Sequence, residues 1–285
     1  MIYQAIPTGR GAFTIPLNDG LSINVFTYKP TSIIRGYVIA SVGTARGYEN
    51  ERRAFRQFAE EHRLCVIVEY RDAARWPGTV RFNRCGVYDD LDNTNLEPRA
   101  RWTSRYFRAM RDWAIRTDAL APDTKFYFYG HSAGAEYNHR AALLDVTAMQ
   151  GVTIVCANPT IYTFPRFADD PVNNWPLGMR DLTPSAQMSD LFSSTNRAAW
   201  YALDMCIYTG DADTGPGGAD GPGGMAQGTG RHDRALNFYA ETMADAEALD
   251  VPFNWRLVIA EGVGHTTSGM VNNTAAVDAF FGGAP

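Results

Sequence analysis

KFYFYGHSAGAEYNHRAALLD, residues 125–145, changes character halfway along. Its aromatic opening reads as a buried strand, and the run from Gly134 reads as a helix. Between them lies Gly-His-Ser-Ala-Gly, residues 130–134, which leaves only a tight corner for Ser132. Such a corner is strained and needs small neighbours two positions away, and Gly130 and Gly134 supply them. A serine placed there stands exposed, with the dipole of the following helix directed at whatever it attacks.

The rest of the chain says what sheet that strand belongs to. Residues 11–43 hold three β-type runs, GAFTIPL, LSINVFTYKP and IIRGYVIASVG, separated by NDG and KPTS turns. Helical and apolar segments then alternate: a helix over 50–63, LCVIVEY at 64–70 as a strand, a helix over 97–118, KFYFY, a helix over 134–145, and VTIVCANP at 152–159. YALDMCIYTG at 201–210 reads as a strand, followed by the helix RALNFYAETMADAEALD, the strand FNWRLVIAEG and a last helix from about Ser268. Continuous apolar strands alternating with helices predict an α/β fold in one domain spanning residues 1–285, with a mostly parallel sheet flanked by helices on both faces. Two insertions interrupt the pattern. Residues 160–196 are long and aromatic enough to be a loop-type lid or substrate wall, and 214–230, TGPGGADGPGGMAQGTG, reads as a flexible surface loop.

Bulk composition excludes several functions. The 285 residues are 45% hydrophobic and 20% charged, with a net charge of -5 and a pI near 5.5, which gives no general pull toward nucleic acid. No apolar run approaches the length of a spanning helix, and the N-terminus lacks a secretory pattern, so a cytoplasmic location is expected. The Gly-rich loop carries neither Gly-Lys-Ser/Thr nor Gly-x-Gly-x-x-Gly, which speaks against nucleotide binding. Cys65 and Cys156 sit in apolar runs as small hydrophobes, no cysteine spacing suits zinc, and one bridge involving Cys85 or Cys206 stays open.

A serine hydroxyl needs a base to take its proton, and that base needs a carboxylate to orient it. Of the five histidines, His62 and His139 lie on helices, His131 lies inside the corner and points away from the serine's face, and His232 edges the Gly-rich loop. His265 follows the last strand in AEGVGHTTSGM, between glycines that free its loop, and is the expected base. MCIYTGDADTG places two carboxylates, Asp211 and Asp213, at another strand end.

Together, Gly-His-Ser-Ala-Gly at 130–134, Gly-Asp-Ala-Asp-Thr at 210–214 and Gly-Val-Gly-His at 262–265 make the chain resemble an α/β-hydrolase from about residue 12 onward. Within that superfamily it looks like the esterase and polyhydroxyalkanoate-depolymerase-like branch, without a large helical cap. The resemblance implies a Ser132-His265-Asp213 triad, because the acid there often follows Gly-x-x-Asp; Asp211 is then a turn-capping residue. It also implies an oxyanion hole from the backbone N–H groups of Ala133 and Thr44, or Ala45. Many relatives carry His-Gly in that loop, where this chain has Val42-Gly43.

Aromatic residues in loops expected to surround the serine suggest a substrate wall: Tyr48, Trp76, Tyr162, Phe164, Phe167 and, foremost, Trp175 in NNWPLG. Arg101, Arg105 and Arg108 form a basic helical stripe, read as a solvated face. The expected activity is hydrolysis of a small or polymeric carboxylic ester without metal or cofactor. The same machinery serves a peptidase or amidase, including a polyamide hydrolase, and a non-catalytic binding protein on this fold is a further reading. A homodimer is left open.

Overall fold

The computed structural model describes residues 5–17, 20–181 and 183–282. Among the described residues, eight strands make one sheet: β1 (Gly9–Pro16), β2 (Ser22–Lys29), β3 (Gly36–Ser41), β4 (Leu64–Tyr70), β5 (Lys125–His131), β6 (Val152–Ala157), β7 (Met205–Gly210) and β8 (Arg256–Ala260). Their order is β1-β2-β4-β3-β5-β6-β7-β8. The β1/β2 and β2/β4 pairs are antiparallel, and the pairs from β4 through β3 to β8 are parallel. The α-helices among the described residues are α1 (Tyr48–Ala54), α2 (Arg56–His62), α3 (Tyr106–Asp118), α4 (Ala133–Leu144), α5 (Ala186–Leu191), α6 (Ser194–Tyr201), α7 (Pro222–Met225), α8 (Arg231–Ala248), α9 (Thr267–Val271) and α10 (Ala275–Phe281).

Side-chain alternation along the strands divides the core into two layers. Ile39, Ile67, Phe128, Ile154 and Ile207 point to one face, where they join Phe107 of α3 and Phe238 of α8. Val38, Val66, Val68, Val155 and Tyr208 point to the other and meet Phe55, Phe58 of α2 and Phe280 of α10. Burial on both faces is what continuous apolar strands require.

The helix expected over 50–63 is two helices that meet at the fully buried Phe55. Helix α3 begins at Tyr106 rather than near 97, preceded by two short 3₁₀ turns. Residues 186–201, expected to be irregular up to Asn196, form α5 and α6, with Ser185 and Ser193 accepting N–H groups at their starts. Nor is 214–230 a free loop. Fully buried Arg234 donates to the carbonyls of Pro216, Ala219, Gly224 and Gly228, and to that of Thr160. The four cysteines are free and buried, so no bridge forms at Cys85 or Cys206. No helix of the described residues is long and apolar enough to cross a membrane.

Register then delivers the site. The parallel strands end in step, with Ser41 opposite Gly130, His131 opposite Ala157, and Gly210 opposite Ala260. The loops after β3, β5, β7 and β8 therefore emerge side by side at the carboxyl edge, where ligands collect in open α/β sheets.

Candidate active site

Ser132 turns from β5 into α4 with φ 56° and ψ -123°, a region a serine enters only under constraint. The constraint comes from close backbone packing. A Cβ on Gly130 would meet Ala135 N at 2.6 Å, and one on Gly134 would meet the Ser41 carbonyl carbon at 2.6 Å. Although Ser132 holds the N-cap position of α4, its hydroxyl caps no N–H group. That leaves Oγ for His265, whose Nε2 lies 3.0 Å away.

The Nδ1 of His265 lies 2.7 Å from Oδ2 of Asp213. The other carboxylate oxygen, Oδ1, accepts from Nη1 of Arg231 at 2.9 Å. Burial alone would push the Asp213 carboxyl up; the hydrogen bonds and charges of His265 and Arg231 outweigh it and hold it below the usual range. Asp211 is exposed and accepts the Gly262 N–H at 2.7 Å, which caps the turn after β8.

Two further residues fix the strand ends. Buried Asn158, just past β6, accepts the Gly210 N–H at 2.8 Å and donates to the Gly264 carbonyl at 3.2 Å. It thus ties the loop that carries Asp213 to the loop that carries His265. The bare Cα of Gly210 lets Val263 close over it, since a Cβ there would meet the Val263 carbonyl carbon at 2.9 Å.

His131 does not point away, as the sequence suggests. Its ring lies 4.6 Å from that of His265, centroid to centroid, and it borders the same cavity. Burial first, and then the neighbouring His265 and Arg231, push its pKa down to about 3, so the imidazole is neutral. The cavity measures about 480 Å³, and its wall mixes the polar side chains of Thr44, Arg46, Asn50, Glu51, Thr160, Arg231 and Thr267 with the apolar surface of Gly43, Ala45, Gly47 and Gly217. Gly43 brings the loop after β3 against the corner, its bare Cα facing Ser132 Cβ. Thr44 follows it into the cavity.

The proposed aromatic wall is a correction. Trp175, Trp76 and Tyr162 are buried in the core and border no part of this cavity. Trp175 packs toward Phe192, Trp76 donates its indole N–H to Tyr106 Oη at 3.2 Å, and Tyr162 stacks on Phe238 at 4.4 Å. Tyr48 stacks on Phe26 with ring centroids 3.6 Å apart and is likewise absent from the lining. Among the described residues of 160–196, Thr160 alone lines the cavity. The basic stripe is a surface feature, with Arg101 paired to Glu97 and Arg108 to Asp145.

Sequence reasoning missed Arg231, Asn158, Glu51 and the position of His131. Arg231 left one readable sign. A cation at the first position of a helix opposes the helix dipole, which makes sense where it faces an acid.

No protein-family model matches the sequence, and no curated protein matches it. Solved structures do. A poly(3-hydroxybutyrate) depolymerase from Bordetella parapertussis superposes with a TM-score of 0.80 at 25% identity, covering 98% of this chain and 92% of that one. Poly(aspartic acid) hydrolase-1 from Sphingomonas sp. KT-1 gives 0.79 at 25% identity, covering 93% and 96%. An arylesterase at 16% identity gives 0.56 and shares the fold.

Proposed function

We propose that this chain, an α/β-hydrolase by fold, is a serine hydrolase that cleaves carboxylic esters through an acyl-enzyme on Ser132. The observation that carries the reading is the continuous link from Ser132 Oγ through His265 to Asp213, at 3.0 and 2.7 Å. Ser132 Oγ attacks the ester carbonyl carbon while His265 Nε2 takes the hydroxyl proton. The oxyanion that forms meets the N–H groups of Ala133 and Thr44, the first at the start of α4, where N–H groups have no intrahelical acceptor. Collapse breaks the bond to the alcohol, which leaves with the proton from His265. Water then gives a proton to His265 as it attacks the acyl carbon; the bond to Ser132 Oγ breaks, the acid leaves, and His265 returns the proton to Oγ.

Asp213 keeps the imidazole in the tautomer that presents a bare Nε2 and stabilises the imidazolium once it forms. Arg231 occupies the second carboxylate oxygen, which leaves Oδ2 aimed at His265. Both structures at 25% identity are named for polymer hydrolysis, which supports a polymeric substrate with repeated acyl links. One of them is named for poly(aspartic acid), whose units are joined by amides, which supports amide cleavage as the second reading.

Matched ester and amide oligomers, assayed with wild type and Ser132→Ala, test both. Ester turnover that vanishes in the variant, by roughly 10⁶-fold in kcat if the triad acts as a unit, is the expected result. Turnover retained by Ser132→Ala would overturn the mechanism, and a preference for the amide would favour the second reading.

A further inference from the structure

Arg46 belongs to the loop that carries the expected oxyanion donor, yet the triad chemistry gives it no part. Its backbone N–H donates to the Gly43 carbonyl at 2.8 Å, which closes a four-residue turn with Thr44 and Ala45 at its tip. A turn closed in this way leaves the N–H groups of its two central residues unused. Those two N–H groups are the candidate oxyanion donors. Both residues are exposed, so burial does not hold the tip in place.

The side chain of Arg46 does hold it. Nη1 donates to the Arg71 carbonyl at 2.6 Å, and Nη2 donates to those of Trp76 at 2.7 Å and Gly78 at 3.1 Å. The guanidinium also lies over the Phe82 ring, 4.2 Å from its centroid. Three of its four terminal N–H groups are thus spent on the segment 71–82. That segment is itself fixed. Fully buried Arg71 pairs with Glu69 and donates to the Phe82 carbonyl at 2.5 Å, and the buried Trp76 indole is tied to Tyr106 of α3.

The backbone carries a second, independent sign. Arg46 has φ 53°, in the left-handed region, which a residue with a side chain holds only where its surroundings impose it. Gly47, next in the chain, could take such an angle freely but keeps φ -81°. The bend falls on the residue whose side chain makes the tie.

We propose that Arg46 is a positioning residue for the oxyanion hole: by tying the turn 43–46 to the segment 71–82, it holds the Thr44 N–H where the oxyanion of the tetrahedral intermediate forms. The inference rests on the serine-hydrolase reading. A planar fork suits this task better than an ammonium, because one rigid group reaches three carbonyls of the same segment. The tie acts through the shape of the turn and not through a charge on the substrate, so it bears on neutral and anionic esters alike.

The test compares wild type with Arg46→Met, which keeps an apolar stem and removes the donors, on a neutral and an anionic aryl ester. In the variant kcat falls by about tenfold to a hundredfold on both, short of the roughly 10²–10³ that follows outright removal of a donor. KM changes by less than about twofold, because ground-state binding does not use the displaced N–H. A trifluoromethyl ketone, which takes up Ser132 Oγ to give a tetrahedral oxyanion, binds more weakly by the same factor as kcat/KM. A merely loosened fold would not single out that mimic. Full kcat in folded Arg46→Met, a loss confined to KM or to the anionic ester, or unchanged affinity for the ketone would each overturn the proposal. Where Arg46→Met does not fold, Arg46→Lys is read by the same criteria, since it keeps the charge and loses the fork.

Hydrogen exchange reads the tie without turnover. The N–H groups of residue 46 and Tyr48, bonded to the carbonyls of Gly43 and residue 46, exchange faster in Arg46→Met than in wild type. Equal exchange would overturn the tie. An inactive wild type would instead overturn the hydrolase reading, and the exchange rates would still decide what Arg46 holds.

Discussion

Gly134→Ala sets local propensity against tertiary packing, and the two predict opposite signs. Gly134 lies in the first turn of α4, and alanine is favoured over glycine in a helix by about 1 kcal/mol. Propensity alone therefore predicts a more stable protein. The added methyl, however, would sit 2.6 Å from the Ser41 carbonyl carbon and 2.9 Å from the Val42 carbonyl oxygen. Ordinary contact begins near 3.4 Å, so α4 and the end of β3 must part by at least about 0.8 Å, the difference between 3.4 and 2.6, and by more to clear the Ser41 carbonyl oxygen, which is closer still. Neither atom belongs to a flexible side chain. Both are backbone, in or next to a strand paired on both edges, with Ser41 opposite Gly130. Overpacking of this kind costs about 1–3 kcal/mol, which offsets or exceeds the helix gain. The displacement falls on Val42-Gly43-Thr44, the loop expected to supply an oxyanion donor. A shift approaching 1 Å in such a position costs roughly 10²-fold in rate. Thermal melts and kcat/KM on an aryl ester measure both effects, with Gly215→Ala, where a Cβ meets nothing within 4 Å, as the control. A Gly134→Ala protein that melts higher than wild type and keeps full activity would refute the packing argument.

The two neighbouring aspartates should separate cleanly: Asp213→Asn lowers kcat by about 10⁴-fold, whereas Asp211→Asn changes stability by less than about 0.5 kcal/mol and leaves kcat intact. Trp175→Ala should cost about 3–5 kcal/mol in denaturant titrations and leave the KM of the folded fraction unchanged, because this indole fills core and touches no substrate. Acid should also act through His131. Its folded pKa is pushed down from 6.5 to about 3, so the unfolded chain binds the proton first and stability falls as the pH drops from 6.5 toward 3. His131→Gln flattens that part of the melting profile, and an unchanged acid slope would show that His131 is not the group responsible.

The sheet was legible because its strands are buried on both faces and appear as unbroken apolar runs. The corner at Ser132 was legible for a related reason: only glycines fit where α4, β3 and β5 touch. What the sequence hid is informative. NNWPLG reads as exposed because Trp175 has polar neighbours, yet those polar groups are spent on the backbone and on one another. Asn173 donates to the Ala168 carbonyl, Asn174 accepts from Arg180, and Asn93 reaches the Trp175 carbonyl. With its polar surroundings satisfied internally, the indole is free to enter the core. Helices α5 and α6 are six and eight residues long, too short for periodicity to show, although their serine caps were present in the sequence. Glu51 sits in the run NERR and looks like part of a solvated face. Only the docking of α9 against α1, through Thr267 to Glu51 and Asn272 to the Ala54 carbonyl, closes that face and turns the acid inward.

The central claim is that Ser132 is an activated nucleophile. Labelling with a fluorophosphonate, read by intact mass on folded wild type and folded Ser132→Ala side by side, tests it most directly. The account predicts one adduct on wild type, none on the variant, and slowed labelling when His265 is replaced by Gln. An unlabelled wild type, or an adduct that survives in Ser132→Ala, would contradict it.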